Sequence, residues 1–557
     1  YKYYLRWTNN TAGTWKQDPR AVWVRNGNTV IYDHSAFVWS NVSRPNIPVG
    51  QQVMYEMHIG SFYDPNPSDG RPGTFDDAIL RLDYLQRLGV NVLAVMPVNE
   101  FGGDYSWGYN PEHVYAIESA YGGPDGLKRF VKAAHERGMK VQIDVVHNHY
   151  SPPGEDGLWD FDGTSNVYFY TDGRSYTPWG SRPDYDKAEV RRYIQDNVKL
   201  LLDEFRVDGF RWDSPQNILG YDTTQSGANP NTILTNGKSM MMAINRMIHE
   251  QYPGRWSIAE DADLLSVNVT YSGFPGAEFY QGLVVSDAAD SFDGHWQTSF
   301  HNIITPRIAA SDPEVGAILG KVIAFSEPPG YRVIFTDNHD KSGVLNNNTR
   351  LANRMVPSDP SGKIARQKTL LNAVLTLTAP GTPMLWMGQE FHATGPFNDS
   401  VRMGWREASA QHRIFRAHRD LIDLRESLPA LQNANLQDAL TYYDWDEPKN
   451  TMVYRRKSAA RNPAEDVMVV MNFSAQPQSQ LVFFPSAGPW HVRFNSDWTI
   501  YGNDFANSGP PQNIVQTTFA GGNDYASLNL PPLSALVFSK TQSPTSVLAE
   551  DFNQNQI

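Results

Sequence analysis

The sequence predicts a parallel (β/α)8 barrel carrying a short insertion after its third strand, an N-terminal β-segment and a C-terminal all-β sandwich. Three observations carry that prediction. From Gln51 to about Leu431, short apolar runs alternate with amphipathic helical periods, and eight such units in about 370 residues suit a closed barrel. Several of the apolar runs end in charged or imidazole side chains, as barrel strands do where chemistry is done. Beyond Leu431 the helical periods stop, and period-two runs separated by Gly, Pro, Asn and Ser take over. A doubly wound open sheet is the competing arrangement, but its glycine-rich phosphate turn is missing.

Residues 1–48 alternate apolar and polar, as in Tyr3-Tyr4-Leu5-Arg6-Trp7 and Ala21-Val22-Trp23-Val24. They predict short antiparallel strands, too few for an independent sandwich, and so the remnant of an N-terminal β-domain linked through Arg44-Pro-Asn-Ile-Pro48. The barrel domain is placed at 49–430. Its first strand is predicted at 53–59, followed by a helix over 74–88 with Phe75, Ala78, Ile79, Leu82, Leu85 and Leu88 on one face and Gly89 closing it. Strand 91–97, helix 124–137 and strand 140–146 come next, then an insertion over 149–186. Helix 187–205 leads into strand 207–214, and helix 239–251 into strand 256–260. A sixth strand is placed at 291–296. Strand 332–335, helix 367–377, strand 383–387 and helix 411–424 complete the series. The sandwich spans 431–541, with runs such as Val467-Met-Val-Val-Met and Ala535-Leu-Val-Phe, and 542–557, rich in Ser, Gln and Asn, predict a disordered tail.

Composition narrows the function. The net charge is −13 and the 47 Lys and Arg residues form no dense cluster, which argues against a nucleic-acid partner. No apolar run approaches the roughly 20 residues of a membrane span, so no membrane partner is expected. The absence of Cys excludes disulfides, Cys-ligated zinc and thiol nucleophiles. Aromatic residues make up 12% of the chain; they serve equally as core material or as stacking surfaces for flat neutral ligands such as sugar rings. Tyr1 opens the chain without a Met or a signal-peptide pattern, which suggests a processed or trimmed product.

The chemistry centres on Val207-Asp-Gly-Phe-Arg-Trp-Asp-Ser214. Strand side chains alternate, so Arg211 and Asp213 point the same way. An arginine that close favours the ionised carboxylate, which suits a nucleophile. Alone, an Arg-x-Asp pair is usually a structural ion pair at a strand end. Here the neighbouring strand ends add Asp144 and His149, Glu260, and His339 with Asp340. Three carboxylates from three strands are what glycoside hydrolysis needs: an ionised nucleophile, a protonated acid and a third group that holds the sugar and its developing charge. Glu260 follows the apolar Ile258-Ala259, a setting that raises a carboxyl pKa and keeps the acid protonated.

Four motifs, Asp144-Val-Val-His-Asn-His149, Gly209-Phe-Arg-Trp-Asp213, Ala259-Glu260-Asp and Asn338-His-Asp340, together closely resemble those of the α-amylase family, glycoside hydrolase family 13, from about residue 51 to 540. The resemblance implies nucleophile Asp213, general acid/base Glu260 and transition-state stabiliser Asp340. It implies that Arg211, His149 and His339 bind the sugar at the cleavage point and that Asp144 supports them. Trp107-Gly-Tyr109 matches the family's aromatic platform, with Tyr109 as the stacking ring. Within the family, Tyr55-Glu-Met-His58, Phe494-Asn-Ser-Asp497 and Leu530-Pro-Pro-Leu-Ser534 resemble the glycogen branching enzyme and maltooligosyl-trehalose trehalohydrolase-like subgroup, and residues 1–48 the end of its carbohydrate-binding-like domain. Two positions depart. Lys341 follows Asp340 where branching enzymes usually have an acid or amide, and Gln216-Asn217 stands where many α-amylases have Lys-His. The acceptor side thus matches neither type cleanly, but Lys341 and the Asn-His-Asp reading of the fourth motif favour a retaining endo-acting α-1,4-glucan hydrolase with some transglycosylation, with 1,4-α-glucan branching as the alternative and an inactive glucan-binding protein as a distant one. The expected partner is an α-glucan polysaccharide or oligosaccharide, and a monomer is expected. No cofactor is required; the resemblance raises Ca2+, through Asn148 and the insertion carboxylates Asp156, Asp160, Asp162 and Asp184, although branching enzymes generally do without it. An extracellular location goes with the hydrolase and a cytoplasmic one with the branching enzyme.

Overall fold

Eight parallel strands close into a barrel in the computed structural model, which describes residues 1–6, 13–151, 157–158, 161–162, 167–225, 232–261, 289–323, 332–405, 412–433 and 440–541. In chain order the barrel strands are Met54–Met57, Val92–Val95, Lys140–Val145, Gly209–Trp212, Trp256–Asp261, Gly294–Gln297, Arg332–Ile334 and Thr382–Trp386. Each pairs in parallel with its sequence neighbour and the eighth pairs with the first. All eight predicted strands are present within a few residues.

The strands are buried on both faces, and their alternation sorts the side chains into two cores. Met54, Val92, Ala94, Trp256, Ile258, Trp296, Val333, Phe335 and Met384 fill the barrel interior. The intervening residues, such as Leu93, Val141, Ile143 and Phe210, pack outward against the helices. Among the polar residues that break the pattern are Glu56, Gln142, Asp144 and Arg211, each 4% exposed or less. A buried charge is retained only with partners, and Asp144 with Arg211, and Glu56 with His339, are paired where the strands end.

Three differences from the predicted elements stand out. The helix expected over 74–88 is two pieces, Phe75–Ile79 and Leu82–Leu88, the first opened by a reciprocal Thr74–Asp77 capping box and the second closed by Gly89 in the left-handed region. The break turns Leu80 to solvent and lets the Arg81 guanidinium stack on Tyr63 and Trp405, 4.1 and 4.6 Å from the ring centroids. Between the sixth and seventh strands lie two helices that periodicity did not reveal, Thr298–Ala309, which contains Pro306, and Val315–Ile323. An antiparallel hairpin, Asn99–Phe101 with Pro111–Ile117, also follows the second strand.

The N-terminal residues form two small ribbons, Tyr3–Arg6 with Gly13–Lys16 and Val24–Arg25 with Asn28–Thr29. The C-terminal domain has a six-stranded and a three-stranded sheet enclosing a separate core that includes Val470, Phe484, Trp490, Leu536 and Phe538. The expected disordered tail, 542–557, lies outside the described residues. No helix among the described residues is long and apolar enough to cross a membrane.

Candidate active site

Strand register assembles the site. Arg211 lies beside Asp144 on the third strand and Ile258 on the fifth. Two residues further along, Asp213 and Glu260 reach the C-terminal mouth, with Glu260 beside Trp296 of the sixth strand. Arg211 is the hub. Its Nη1 donates to Asp144 Oδ2 and to Asp213 Oδ1, the latter at 3.2 Å, and its Nη2 lies 3.7 Å from Glu260 Oε2. A 4% exposed guanidinium serving three carboxylates fixes their mutual orientation.

Asp213 is held from a second side. The Asn148 amide donates to its backbone oxygen at 2.7 Å and to Oδ2 at 2.8 Å. The chain turns immediately afterwards at Ser214, a non-glycine residue at φ 43°, a conformation with a local cost of order 1 kcal/mol. That turn directs the Ser214 N–H onto Glu260 Oε2 at 3.0 Å, so the backbone after one carboxylate positions the other. Burial raises the Glu260 pKa; Arg211 opposes this, and the nearby charges of Asp213 and Asp340 reinforce it. The Ser214 N–H also pulls it down, and the net direction is upward, toward the protonated acid.

Asp340 behaves in the opposite way. Burial pushes its pKa up, but His339, Arg211 and Lys341 outweigh burial and lower it. Its carboxylate is 41% exposed, accepts from Asn346 Nδ2 at 3.0 Å and lies 3.4 Å from His339 Nε2. His339 is anchored from below: Glu56 accepts from its backbone N–H at 3.1 Å and faces its Nδ1 at 2.6 Å. Although burial disfavours the imidazolium, Asp340 and Glu56 raise the His339 pKa to about 9. Asp144 is nearly inaccessible; burial raises it to about 7 against the pull of Arg211, and the Tyr109 hydroxyl donates to it at 2.6 Å.

The expected residues converge, with different degrees of access to the mouth. Tyr109 is partly exposed and stacks on His339, centroids 5.1 Å apart and 22° between planes. Trp107 sits behind it, 7% exposed, against Phe397 and the edge of His339; it buttresses the platform and is not one of its faces. His149 is 1% exposed, its ring nitrogens facing Asn148 Oδ1 and the Tyr109 carbonyl, and burial lowers its pKa. The sequence reading did not single out Glu56, Ser214 or Trp179. Glu56 carried a signal, being the one acid in an apolar strand. Trp179, in the insertion, is 49% exposed with its ring 5.6 Å from His149; nothing in its neighbours distinguishes it.

The described side chains around Asn148 do not fit a calcium cage. Its amide is committed to Asp213 and its oxygen faces His149. Asp184 faces Lys187 at 3.5 Å and the Asp186 N–H at 3.1 Å, and Asp156 and Asp160 lie outside the described residues. Among the described residues no three His, Cys, Asp or Glu side chains group as metal ligands.

A barrel with a carboxylate ring at its mouth and an all-β C-terminal domain defines a class, and comparison with known proteins identifies the family. The model of the α-amylase catalytic domain matches residues 57–156 and 153–460, and that of the α-amylase C-terminal all-β domain matches 443–541. The chain belongs to the α-amylase family. It is 30% identical to a malto-oligosyltrehalose trehalohydrolase of Rhizobium sp. (strain M-11) over 80% of this chain and 78% of the relative. It is 28% identical to a 1,4-α-glucan branching enzyme of Nitratidesulfovibrio vulgaris over 97% of this chain and 84% of the relative. The fold matches that of an Anoxybacillus sp. LM18-11 pullulanase solved with maltotetraose, with a TM-score of 0.72 at 22% identity, covering 96% of this chain and 78% of that one.

Proposed function

We propose that this protein is a retaining, endo-acting α-1,4-glucan hydrolase working by double displacement. The observation that carries the reading is two differently served carboxyls in one ring: burial and neighbouring carboxylates raise the Glu260 pKa, while Asp213 accepts hydrogen bonds from Arg211 and Asn148. Asp213 attacks the anomeric carbon as the Glu260 proton passes to the glycosidic oxygen, and the bond to the departing chain breaks. An ester to Asp213 results, and Glu260 is left as a carboxylate. Water then attacks the same carbon, gives its proton to Glu260 and releases Asp213. The positive charge that develops on the ring in both steps faces the Asp340 carboxylate. Tyr109 offers a stacking face, and Trp179 a second at the insertion.

Retention requires the Asp213 and Glu260 carboxyls about 5–5.5 Å apart, a spacing compatible with their sharing the Arg211 guanidinium. Lys341, a cation beside Asp340 where branching enzymes usually have an acid or amide, and the Asn-His-Asp reading of the fourth motif favour water over a sugar as acceptor. Asn217 matches neither type; its oxygens accept from Arg182 at 2.7 and 3.3 Å and its amide donates to Ser214 Oγ at 2.7 Å. A hydrolase of polymer too large to import is consistent with secretion. Branching is the second reading, favoured by the relative that aligns over 97% of this chain; in it a 6-hydroxyl replaces water. Incubation with amylose separates the two. Hydrolysis gives new reducing ends in proportion to lost iodine colour, whereas colour lost with few new ends overturns the hydrolase in favour of branching.

A further inference from the structure

Beneath the carboxylate ring, inside the barrel, a cavity of about 10 Å³ is lined by Glu56, Gln142, Asp144, Arg211 and Trp296 together with apolar residues at the ends of the second and third strands. That is about the room one water needs. Gln142, Asp144, Arg211 and Trp296 are 2, 4, 4 and 1% exposed. Five of their polar atoms have no hydrogen-bond partner in the protein: Gln142 Oε1 and Nε2, Asp144 Oδ1, Arg211 Nε and Trp296 Nε1. Buried polar atoms rarely stay unpaired, and here the four residues that carry them line one cavity. Gln142 and Asp144 share the inward face of the third strand, Arg211 is beside Asp144 in register, and the guanidinium lies 5.2 Å from the Trp296 ring centroid.

The chemistry of those atoms selects the occupant. Arg211 Nε and Trp296 Nε1 can only donate, Asp144 Oδ1 and Gln142 Oε1 accept, and the Gln142 amide has donors to spare. An anion would face the Asp144 oxygen and a cation the Arg211 guanidinium. Water accepts two hydrogen bonds and donates two. We propose that this cavity holds one structural water and that Gln142, acting through it, is a positioning residue for the Arg211–Asp144 pair.

The consequence for the site follows from what faces Asp144. Arg211 approaches from the fourth strand, the Tyr109 hydroxyl from the loop after the second, Asp213 from beyond the fourth and His339 from beyond the seventh. Glu56, from the first strand, lines the same cavity. Burial drives Asp144 toward its neutral form, and a water proton on Oδ1 favours the charged form that holds Arg211. Gln142→Met has similar length and no polar atoms, so it removes the water and lets Asp144 protonate at higher pH. The acid limb of kcat/KM then moves up by about half a pH unit or more, with a smaller change in kcat at the optimum.

A crystal structure of the unsubstituted protein at about 1.5 Å tests the site without reference to the reaction. The expected result is one spherical peak within hydrogen-bond distance of at least three of Asp144 Oδ1, Gln142 Oε1, Arg211 Nε and Trp296 Nε1. An empty cavity, or a peak with the anomalous signal of a halide or metal, overturns it. The positioning role, which rests on the proposed reaction, is read from the pH profiles of Gln142→Met and of Trp296→Phe, which deletes one donor and keeps an aromatic, though smaller, side chain. Unmoved acid limbs in both overturn that role. A protein inactive on every α-glucan would bring down the proposed reaction and the positioning role with it, and the density would still decide the water site.

Discussion

At the scale of the residue, the site is an arrangement of protonation states set by neighbours. Replacing Asp213 with Asn removes the attacking oxygen and keeps the shape, so kcat should fall on the order of 10⁴-fold or more while maltooligosaccharide binding, measured calorimetrically, persists. Activity close to the parent's would rule out Asp213 as nucleophile. Glu260 must carry its proton, so activity falls as pH rises through its elevated pKa. Asp340 contributes to that elevation, and the residual activity of Asp340→Asn should therefore show its alkaline limb at lower pH than the parent. A limb that stays put or moves upward would contradict the coupling. His339 carries a stability consequence with a definite sign. Its pKa is raised from 6.5 to about 9, so the stabilisation is fully present below pH 6.5 and is lost as pH rises through 9, with a slope of at most about 1.4 kcal/mol per pH unit. Denaturant titrations should show stability declining over that window, and declining less in Glu56→Gln, which removes one of the two charges responsible.

The elements show where sequence reasoning reached and where it stopped. Strand ends were legible because alternation and charge coincide: Asp144, Arg211, Asp213, Glu260 and Asp340 interrupt or end apolar runs. Glu56 obeyed the same rule, but its partner His339 is 283 residues away, and no local pattern joins them. The split helix was illegible because Phe75, Ala78, Leu82, Leu85 and Leu88 keep one buried face across the break; periodicity reports the face and not the hydrogen bonds. The two helices before the seventh strand were hidden by Pro306 and by Gly316 and Gly320, residues that ordinarily end helices. Close approach also escapes the sequence. At Gly343, after the seventh strand, a Cβ would lie 2.0 Å from the Trp107 ring and 2.7 Å from the His339 carbonyl oxygen. Gly343→Ala should therefore cost about 1–3 kcal/mol and lower kcat/KM by pushing Trp107 against His339 and disturbing the Tyr109–His339 stack. Unchanged melting and kinetics would show that the platform yields freely.

For the whole molecule, the C-terminal sheets were legible as a domain, but not the way they are fastened to the barrel. Arg456, fully buried, donates to the backbone oxygens of Thr378, Leu431 and Asn433, at the end of one barrel helix and along the connection between domains. A guanidinium serving three carbonyls is a clamp that composition cannot reveal. Arg456→Met leaves those oxygens unpaired and should lower stability by about 2–4 kcal/mol, read by denaturant unfolding, with kcat/KM of the folded enzyme unchanged. Loss of activity without loss of stability would mean that the domains communicate. The closed barrel and its buried polar floor bring Asp213 and Glu260 to one mouth, where the proposed reaction needs a nucleophile at the sugar carbon and a proton donor beside it. The most direct test is to treat the Glu260→Gln variant with an activated α-glycosyl fluoride, digest it and locate the sugar-bearing peptide by mass spectrometry. One glycosyl ester is expected, on Asp213. A sugar on any other carboxylate, or rapid turnover with inversion at the anomeric centre, would contradict it.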